Sequence, residues 1–394
     1  MTKNSHQLNE FLLAHGGPFY GLQQQLGLLR EDAFRPGSRA MLFVALAWGI
    51  PLVLSVVEGN AFGALSTNPY LLDLGVWARF LIAVGLFILL EQQVQGRLRE
   101  ILLELVRAPI LAPKSFAAAS KAVTRALGRR DSNFAEIICL LIAVLATFAS
   151  YIRFGDGVTE SWAIQASSNG SALTLTGWWC LLVSNTIFWF LMARWFWRLF
   201  VWAKLLHELA TLEYRLVATH PDGKGGLSFI GQYPNAFTGF VFALSCVLGA
   251  ALAQGLMAGE IEIGTYGYVM GTWLFIVLIL LAWPLLAFRK PLAELKKQAL
   301  YVCGAQATRH NRASERDLLG KNISAAEDVE AAEDSDIPDP TKTYALVKKL
   351  SVSLFNRSSL LPVSAAALLP LFAAGITQMP IKELLKVAKR LLLL

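Results

Sequence analysis

The chain has 394 residues, of which 55% are hydrophobic and only 16% are charged, and it carries a formal net charge of +7. A soluble domain has about 25% charged residues, so this composition excludes a string of ordinary soluble domains and indicates an integral membrane protein. The four cysteines form no CxxC or Cys/His pattern, so they do not indicate a disulfide framework, a metal site or redox chemistry.

Six apolar segments are long enough to cross the hydrocarbon core of a bilayer, which takes about 20 helical residues. In chain order these segments cover residues 40–57, 71–90, 134–151, 177–192, 237–256 and 266–288. None shows the alternation of a barrel strand, and a backbone surrounded by lipid must satisfy its own hydrogen bonds. The sequence therefore predicts an all-α integral membrane protein with six transmembrane helices.

Lys and Arg residues are distributed unevenly about these segments. Of the 35 in the chain, 33 lie in the two termini and in alternate loops. The other loops, 58–70, 152–176 and 257–265, hold only Arg153, while Arg79 lies inside the second segment. Cytoplasmic loops carry such an excess, so we predict a multi-pass protein of the bacterial inner (plasma) membrane with both termini cytoplasmic. Because the same rule accounts for the basic residues, they indicate no nucleic-acid partner.

This predicted threading divides the chain into seven regions. Pairs of membrane segments occupy 40–90, 134–192 and 237–288. The cytoplasmic regions are an N-terminal arm, a helical loop, an extension of the fourth helix with its following loop, and a C-terminal region, at 1–39, 91–133, 193–236 and 289–394. We expect the helix after the second segment to stop at Pro109 and the fourth helix to run on through Val217.

The C-terminal region contains an acidic linker, a further apolar segment at 360–376 and a basic segment at 381–394. The apolar segment is short and is interrupted by Pro362 and Pro370, and a crossing there would move the basic segment outside. We therefore expect residues 360–376 to be buried or re-entrant rather than a seventh span. The basic segment is an amphipathic helix that either lies on anionic lipid headgroups or packs on the protein's own cytoplasmic part.

The loop after the fourth helix is dense in residues with special backbone properties. It contains the sequence ATHPDGKGGLSF, in which the proline ends the helix and the glycines allow a positive φ. Asp222 can accept hydrogen bonds from backbone amides, so one interpretation is a tight structural turn. The other is a ligand-binding or partner loop, in which His220, Lys224 and the amides of Gly225 and Gly226 join Asp222 to hold an anion or a polar substrate.

The wider stretch from Arg194 to Ile230 resembles a known pattern. An aromatic and arginine-rich helix, RWFWR, leads into HPDGKGGLSF. This is similar to uncharacterised bacterial polytopic inner-membrane proteins that carry an HPDxxGGLxF cytoplasmic loop. The resemblance implies a role for the loop beyond that of a turn, but it supplies no activity.

Arg194 and Arg198 are separated by one helical turn at the cytoplasmic end of the fourth segment, with tryptophans around them. One interpretation is an interfacial anchor, in which both side chains reach out to the headgroups. The other is that the pair holds the phosphate of an anionic lipid or an anionic solute.

Arg79 is a charged residue within the second segment, where it is costly unless it is paired or hydrated. Asp73 lies about 240° round the helix from it, so Glu58 at the outer end of the first segment is the better candidate partner. Arg79 either reaches out to the surface or pairs structurally, or these three residues form a polar site that lines a hydrated cavity.

Two packing signals bear on function. Ser245, Gly249 and Ala253 form a ridge of small residues suited to close contact with another helix or with a second subunit, and a Gly-Ile-Pro sequence at 49–51 predicts a kink in the first span. Together with Arg79, they favour a channel-like or transporter-like protein that acts as a homo-oligomer.

The alternatives belong to other classes. A membrane-anchored sensor or scaffold would present its cytoplasmic helices and loop to a partner, and a membrane-embedded lipid-modifying enzyme would use His220 and Asp222. No P-loop, HExxH or GxSxG motif occurs, so the sequence predicts no catalytic residue, metal ligand or cofactor and favours a protein that is not an enzyme.

Overall fold

The computed structural model describes residues 36–62, 68–154, 161–167, 170–259, 263–324, 339–355 and 357–376, together with Phe19 and Gly21. This part of the chain is built almost entirely of helices, with one short antiparallel hairpin. The predicted basic segment, most of the N-terminal arm and most of the acidic linker lie outside the described residues.

Helices α1 to α5 are Pro36–Val57, Leu74–Arg107, Phe116–Arg130, Asn133–Phe154 and Leu175–Ala210. Helices α6 to α10 are Thr238–Met257, Ile263–Ala282, Arg289–Leu319, Thr341–Lys349 and Arg357–Ile376. Short 3-10 stretches precede α6 at Ile230–Phe237 and join α7 to α8 at Trp283–Phe288. The hairpin strands, β1 Ile164–Ser167 and β2 Gly170–Leu173, lie between α4 and α5 and pair Ile164 with Leu173.

Within the described residues, seven helical stretches are long and apolar enough to cross a membrane. They contain α1, α2, α4, α5, α6, α7 and α10, and the first six coincide with the six predicted segments. Large apolar side chains on the outside of the bundle, such as Val53 of α1 and Phe148 of α4, are exposed. Such surfaces suit lipid tails, which are as apolar as these side chains. The prediction of an all-α multi-pass membrane protein is confirmed.

Helix α10 covers residues 360–376, which were expected to be buried or re-entrant. It is a single continuous helix long enough for a crossing, and 56% of its apolar window is buried inside the bundle. Just before α6, the backbone of Gly231 lies against the carbonyl oxygen of Leu354; further along, a Cβ on Gly249 would stand 2.9 Å from the carbonyl oxygen of Pro370. α10 therefore runs parallel to α6 and ends at the same end of the bundle as α6 does. The basic residues predict that end to be the outer one, so the direction of α10 does not fit the prediction of a cytoplasmic C-terminus.

The predicted ridge of small residues packs inside the chain. Gly249 lies against Pro370 of α10, and the Ser245 hydroxyl accepts a hydrogen bond of 2.8 Å from the Trp273 indole of α7. Ser245, Gly249 and Ala253 are all buried. Because the ridge is already covered by two helices of the same chain, it does not supply the surface on which a second subunit would pack.

A π-helical turn, Ala45–Gly49, lies within α1 directly before the Ile-Pro sequence at which a kink was predicted. Two further π-helical turns, Trp77–Ala83 in α2 and Cys180–Ser184 in α5, were not indicated by the sequence. A wide turn leaves carbonyl groups without their usual helical donors, and the Leu46 carbonyl accepts a bond of 3.0 Å from the Trp179 indole. Three neighbouring helices therefore each contain an irregular turn, and this bond joins those of α1 and α5.

The C-terminal ends of α2 and α5 show one confirmed and one wrong boundary. α2 ends at Arg107, in agreement with the predicted stop at Pro109. α5 ends at Ala210 rather than continuing through Val217. The chain beyond it instead pairs with the loop after α2, because Leu111 and Tyr214 form an antiparallel bridge. This backbone pairing replaces the hydrogen bonds that further helical turns would have made.

Candidate functional site

Five charged residues of α1, α2, α4 and α5 meet at one level of the bundle, towards the side that the basic residues predict to be cytoplasmic. We call them the charge cluster: Arg39, Glu91, Glu136, Arg194 and Arg198. Their side chains are at most 14% exposed, and those of Arg39 and Glu91 are only 2% exposed. Arg39 and Glu136 lie near the beginning of their helices, whereas the other three lie within helices that continue past the cluster, so the cluster joins four helices at one level.

Glu91 is the centre of the charge cluster. One carboxylate oxygen lies 2.8 Å from Nη2 of Arg39, and the other lies 2.5 Å from Nη2 of Arg198. Charge-assisted bonds of this length are the strong ones in proteins. A single buried carboxylate on α2 therefore holds the guanidinium groups of α1 and α5 at the same time.

Arg194 is held less tightly. Its nearest carboxylate oxygen belongs to Glu136 of α4 at 3.6 Å, which is longer than a hydrogen bond. The other Glu136 oxygen accepts a bond of 2.7 Å from the backbone N–H of Phe19. The Arg194 guanidinium also lies 4.5 Å from the centre of the Phe19 ring, within the range of a cation–π interaction.

The charge cluster holds more positive than negative charge. Three arginines and two glutamates leave an excess of one positive charge among the described residues. Removing each ion from water costs several kcal/mol, and ion pairing offsets this cost only when the geometry is good and the remaining donors and acceptors are hydrogen-bonded. Ionisable groups buried within membrane bundles are candidates for function because they are costly to bury.

The interpretation of Arg194 and Arg198 as an interfacial anchor, with side chains that reach out to the headgroups, is wrong. Both side chains point into the bundle and contact glutamates of α2 and α4. Trp195 is buried with them, and its indole donates a bond of 3.0 Å to the Phe87 carbonyl. These residues therefore form an internal site rather than a lipid-facing anchor. Glu91 and Arg39, which complete the site, were not recognised in the sequence.

At the opposite end of the bundle, the predicted pair of Glu58 and Arg79 is wrong. Glu58 accepts bonds of 2.7 Å from the backbone N–H of Leu175 and 2.6 Å from the Thr176 hydroxyl, so it caps α5. Asp73 caps α2 by accepting a bond of 2.8 Å from the N–H of Gly75. Both carboxylates serve helix N-termini, where the backbone offers unpaired donors.

Arg79 is exposed on α2, and its guanidinium turns towards the outer end of that helix. A Cβ on Gly75 would stand 3.0 Å from Nη2 of Arg79 and 3.1 Å from Oδ1 of Asp73, so the two charges are neighbours. Asp73 also accepts a bond of 2.7 Å from the Gln254 amide of α6. The position of Arg79 agrees with the interpretation that it reaches out to the surface.

In the loop after α5, the Asp222 carboxylate occupies the nest formed by its own backbone. It accepts N–H bonds from Lys224 at 2.8 Å, Gly226 at 3.1 Å and Ser228 at 3.1 Å. Positive φ angles at Gly225 (67°) and Gly226 (97°) allow these amides to converge. Of the two glycine amides predicted to hold an external anion, that of Gly226 therefore already binds Asp222.

The same loop also binds the segment that precedes α10. The Lys224 side chain is buried, and its ammonium donates bonds of 2.6 Å to the Leu354 carbonyl and 2.9 Å to the Phe355 carbonyl. The backbone N–H of Ser351 donates a bond of 2.8 Å to the Gly223 carbonyl. Of the residues singled out in this loop, His220 is the one that remains exposed. The contacts are those of a structural turn.

Asp222 makes the stability of this loop depend on pH. Burial raises the pKa of its carboxyl group, but the three backbone donors and His220 outweigh burial and hold the pKa below its ordinary value. The stabilisation is therefore complete above the ordinary value of about 3.9 and is lost as the pH falls through the lower, folded-state pKa. At neutral pH, we expect Asp222→Asn to speed amide exchange at Lys224, Gly226 and Ser228 by about tenfold or more, because bonds to a charged acceptor are each worth about 1.5–3 kcal/mol.

Hydrogen–deuterium exchange read by mass spectrometry measures this effect in the peptide that spans 222–228. Asp317→Asn on the exposed face of α8 is the matched control and leaves the exchange of that peptide unchanged. Equal exchange in wild type and Asp222→Asn would show that the loop does not depend on this carboxylate.

The fold and the charge cluster together define the class, an all-α multi-pass membrane protein with a cationic site buried at one end of its bundle. Comparisons with protein-family models, with curated proteins and with solved structures gave no match to the chain. The resemblance to proteins with an HPDxxGGLxF loop stays a prediction. No group of three or more His, Cys, Asp or Glu residues within the described part of the chain could hold a metal ion.

Proposed function

We propose that the protein is a channel-like or transporter-like protein for small anions, and that the charge cluster is its inner anion-binding point. The observation that supports this proposal is that the buried Arg194 guanidinium lies 3.6 Å from its nearest carboxylate oxygen among the described residues, whereas Glu91 holds Arg198 at 2.5 Å. Guanidinium groups suit this role, because their planar set of donors matches carboxylate and phosphate oxygens. In this proposal the cluster lies at the cytoplasmic boundary of a bacterial inner membrane, which the distribution of Lys and Arg supports.

Arg194 is the residue we assign to the moving anion. Its ion pair with Glu136 is the longest in the cluster at 3.6 Å, so it has the most to gain from a further acceptor. Arg39 and Arg198 are held at 2.8 and 2.5 Å by Glu91, and this pairing keeps the inner ends of α1, α2 and α5 together. An anion that reaches Arg194 competes with the glutamates for the arginines and so weakens this closure.

The outer halves of the same helices offer the complementary feature. α1, α2 and α5 each contain a π-helical turn, a distortion that is often associated with functional sites. The ion pairs of the charge cluster hold these helices together at one level, and the π-helical turns make them irregular at another. The helices can therefore move apart at one level while they stay in contact at the other. We propose that the anion path follows these three helices.

The other classes have less support. The sensor or scaffold hypothesis relied on a long cytoplasmic extension of α5 and on an outward-facing loop, whereas α5 ends at Ala210 and Lys224 of the loop is buried against the segment before α10. A lipid-modifying enzyme would need Asp222 as a reactive group, but three backbone amides bind its carboxylate. The anion proposal does not depend on a homo-oligomer.

The proposal is tested by flux from liposomes that contain the purified protein. Vesicles are loaded in turn with chloride, phosphate and succinate, and release is followed at both signs of the membrane potential set by potassium and valinomycin. We expect at least one anion to leave faster than from protein-free vesicles, while sodium stays inside. Release of none of the three anions at either potential would overturn the proposal.

A further inference from the structure

A groove of about 680 Å³ lies on the outside of the bundle between α5 and the 3-10 stretch that follows α7. Its walls are mainly apolar, and three of its large side chains, Phe200, Trp283 and Leu286, are 51%, 71% and 46% exposed. In a chain that crosses a membrane, apolar surface on the outside of the bundle faces lipid tails. The groove is therefore open to the bilayer.

The cytoplasmic end of the groove is cationic. Lys204 and His207 both line it, are exposed and lie on one face of α5, three residues apart. Arg198 of the charge cluster precedes Lys204 by six residues, which is about 9 Å along the helix. Lys204 and His207 therefore lie beyond the hydrocarbon boundary, at the depth of the headgroups. Among the described residues that line the groove, none is acidic.

The nearest acidic residue along α5 belongs to another surface. Glu208 follows His207 directly, but its carboxylate pairs with Arg125 at 2.8 Å and Arg129 at 2.7 Å, both on α3. The positive charge at the end of the groove is thus not offset by this neighbour. An apolar channel with hydrogen-bond donors and positive charge at its inner end matches an amphiphile whose head is an anion.

We propose that this groove binds a phospholipid of the inner leaflet that has an anionic headgroup. Lys204 and His207 donate hydrogen bonds to the phosphate oxygens, and an acyl chain lies along Phe196, Phe200 and Trp283. Basic side chains near an anionic leaflet attract such lipids, while the volume of the groove is that of a ligand pocket. The site is separate from the charge cluster, whose arginines face the interior, and it does not depend on the anion proposal.

Native mass spectrometry of the full chain, equilibrated with equimolar phosphatidylglycerol and phosphatidylcholine, tests the cationic end. We expect wild type to retain phosphatidylglycerol with a preference of about tenfold, and the double variant Lys204→Gln/His207→Gln to lose that preference. Lys297→Gln removes an exposed charge from α8 outside the groove and should keep it. An unchanged preference in the double variant would overturn the proposal.

A second variant tests the apolar part. Ala203 lines the groove beside Lys204, and Ala203→Trp fills the space while Lys204 and His207 remain. We expect this variant to retain neither lipid, with a helical circular dichroism spectrum and an elution volume like those of wild type. Retention of phosphatidylglycerol by a folded Ala203→Trp protein would show that surface charge alone attracts the lipid and that the groove is not its site.

Discussion

Replacement of Glu91 by glutamine is expected to lower the free energy of unfolding by about 3–5 kcal/mol, which is the range for removal of one partner from a buried ion pair. The carboxylate binds Arg39 and Arg198 at 2.8 and 2.5 Å, and all three side chains are at most 8% exposed. Glutamine keeps the size of the side chain but leaves two buried guanidinium groups without their counter-ion. Unfolding by SDS in mixed micelles, followed by circular dichroism, measures the loss.

Glu208→Gln provides the matched control for this substitution. Glu208 also pairs with two arginines, but Arg125 is 56% exposed, so we expect a loss of about 1 kcal/mol or less. The double variant Glu91→Gln/Arg198→Gln removes one charge of each sign and should recover part of the stability. Equal losses in Glu91→Gln and Glu208→Gln would contradict the description of Glu91 as the centre of a buried cluster.

Replacement of Gly231 by alanine is expected to cause the second large loss of stability, because Gly231 packs against the segment that precedes α10. A Cβ at this position would collide with the carbonyl oxygen of Leu354. The Leu354 backbone cannot withdraw easily, because the Lys224 ammonium binds the same oxygen at 2.6 Å. Overpacking of this kind costs about 1–3 kcal/mol, and we expect faster amide exchange in 351–376 together with the loss of stability.

Gly128→Ala is the control for that experiment. Gly128 lies in α3, and a Cβ there would meet no atom within 4 Å. Alanine in a helix is favoured over glycine by roughly 0.5–1 kcal/mol, so this variant should be as stable as wild type or slightly more stable. If Gly231→Ala behaved like Gly128→Ala, the close contact between the loop and the segment before α10 would be wrong.

The membrane class and the six main helices could be predicted from the sequence because hydropathy is a local property. Helix α10 could not be judged in the same way. In the sequence, residues 360–376 form a short apolar segment that contains two prolines, which weaken a helix. In the fold, half of the apolar window of this helix is buried against other helices, among them α6 at Gly249. Neighbouring helices thus supply an environment that hydropathy does not measure.

The charge cluster was only partly predictable for a related reason. Arg194 and Arg198 are recognisable in the sequence as a pair because they are one helical turn apart. Glu91, by contrast, is separated from Arg39 by 52 residues and from Arg198 by 107. Each of these residues alone has the appearance of an ordinary charge at a membrane surface. The available signal was that they all lie at the predicted cytoplasmic ends of spans, where opposite charges at one depth can pair.

The contacts of the loop after α5 could be predicted only where they lie within the loop itself. The sequence indicated a turn in which Asp222 binds backbone amides, and the structure has that turn. What local chemistry could not reveal is the partner of Lys224, because the Leu354 carbonyl is 130 residues away. At the outer end, Glu58 likewise found its donors on α5, 117 residues away, rather than at Arg79.

The central claim is that Arg194 within the charge cluster receives an anion, and flux through Arg194→Gln liposomes tests it most directly. Removal of one charge-assisted bond of about 1.5–3 kcal/mol should lower the anion flux by about tenfold or more. Arg125→Gln, which removes an exposed arginine from α3, should transport like wild type. A folded Arg194→Gln protein with undiminished anion flux would contradict the claim.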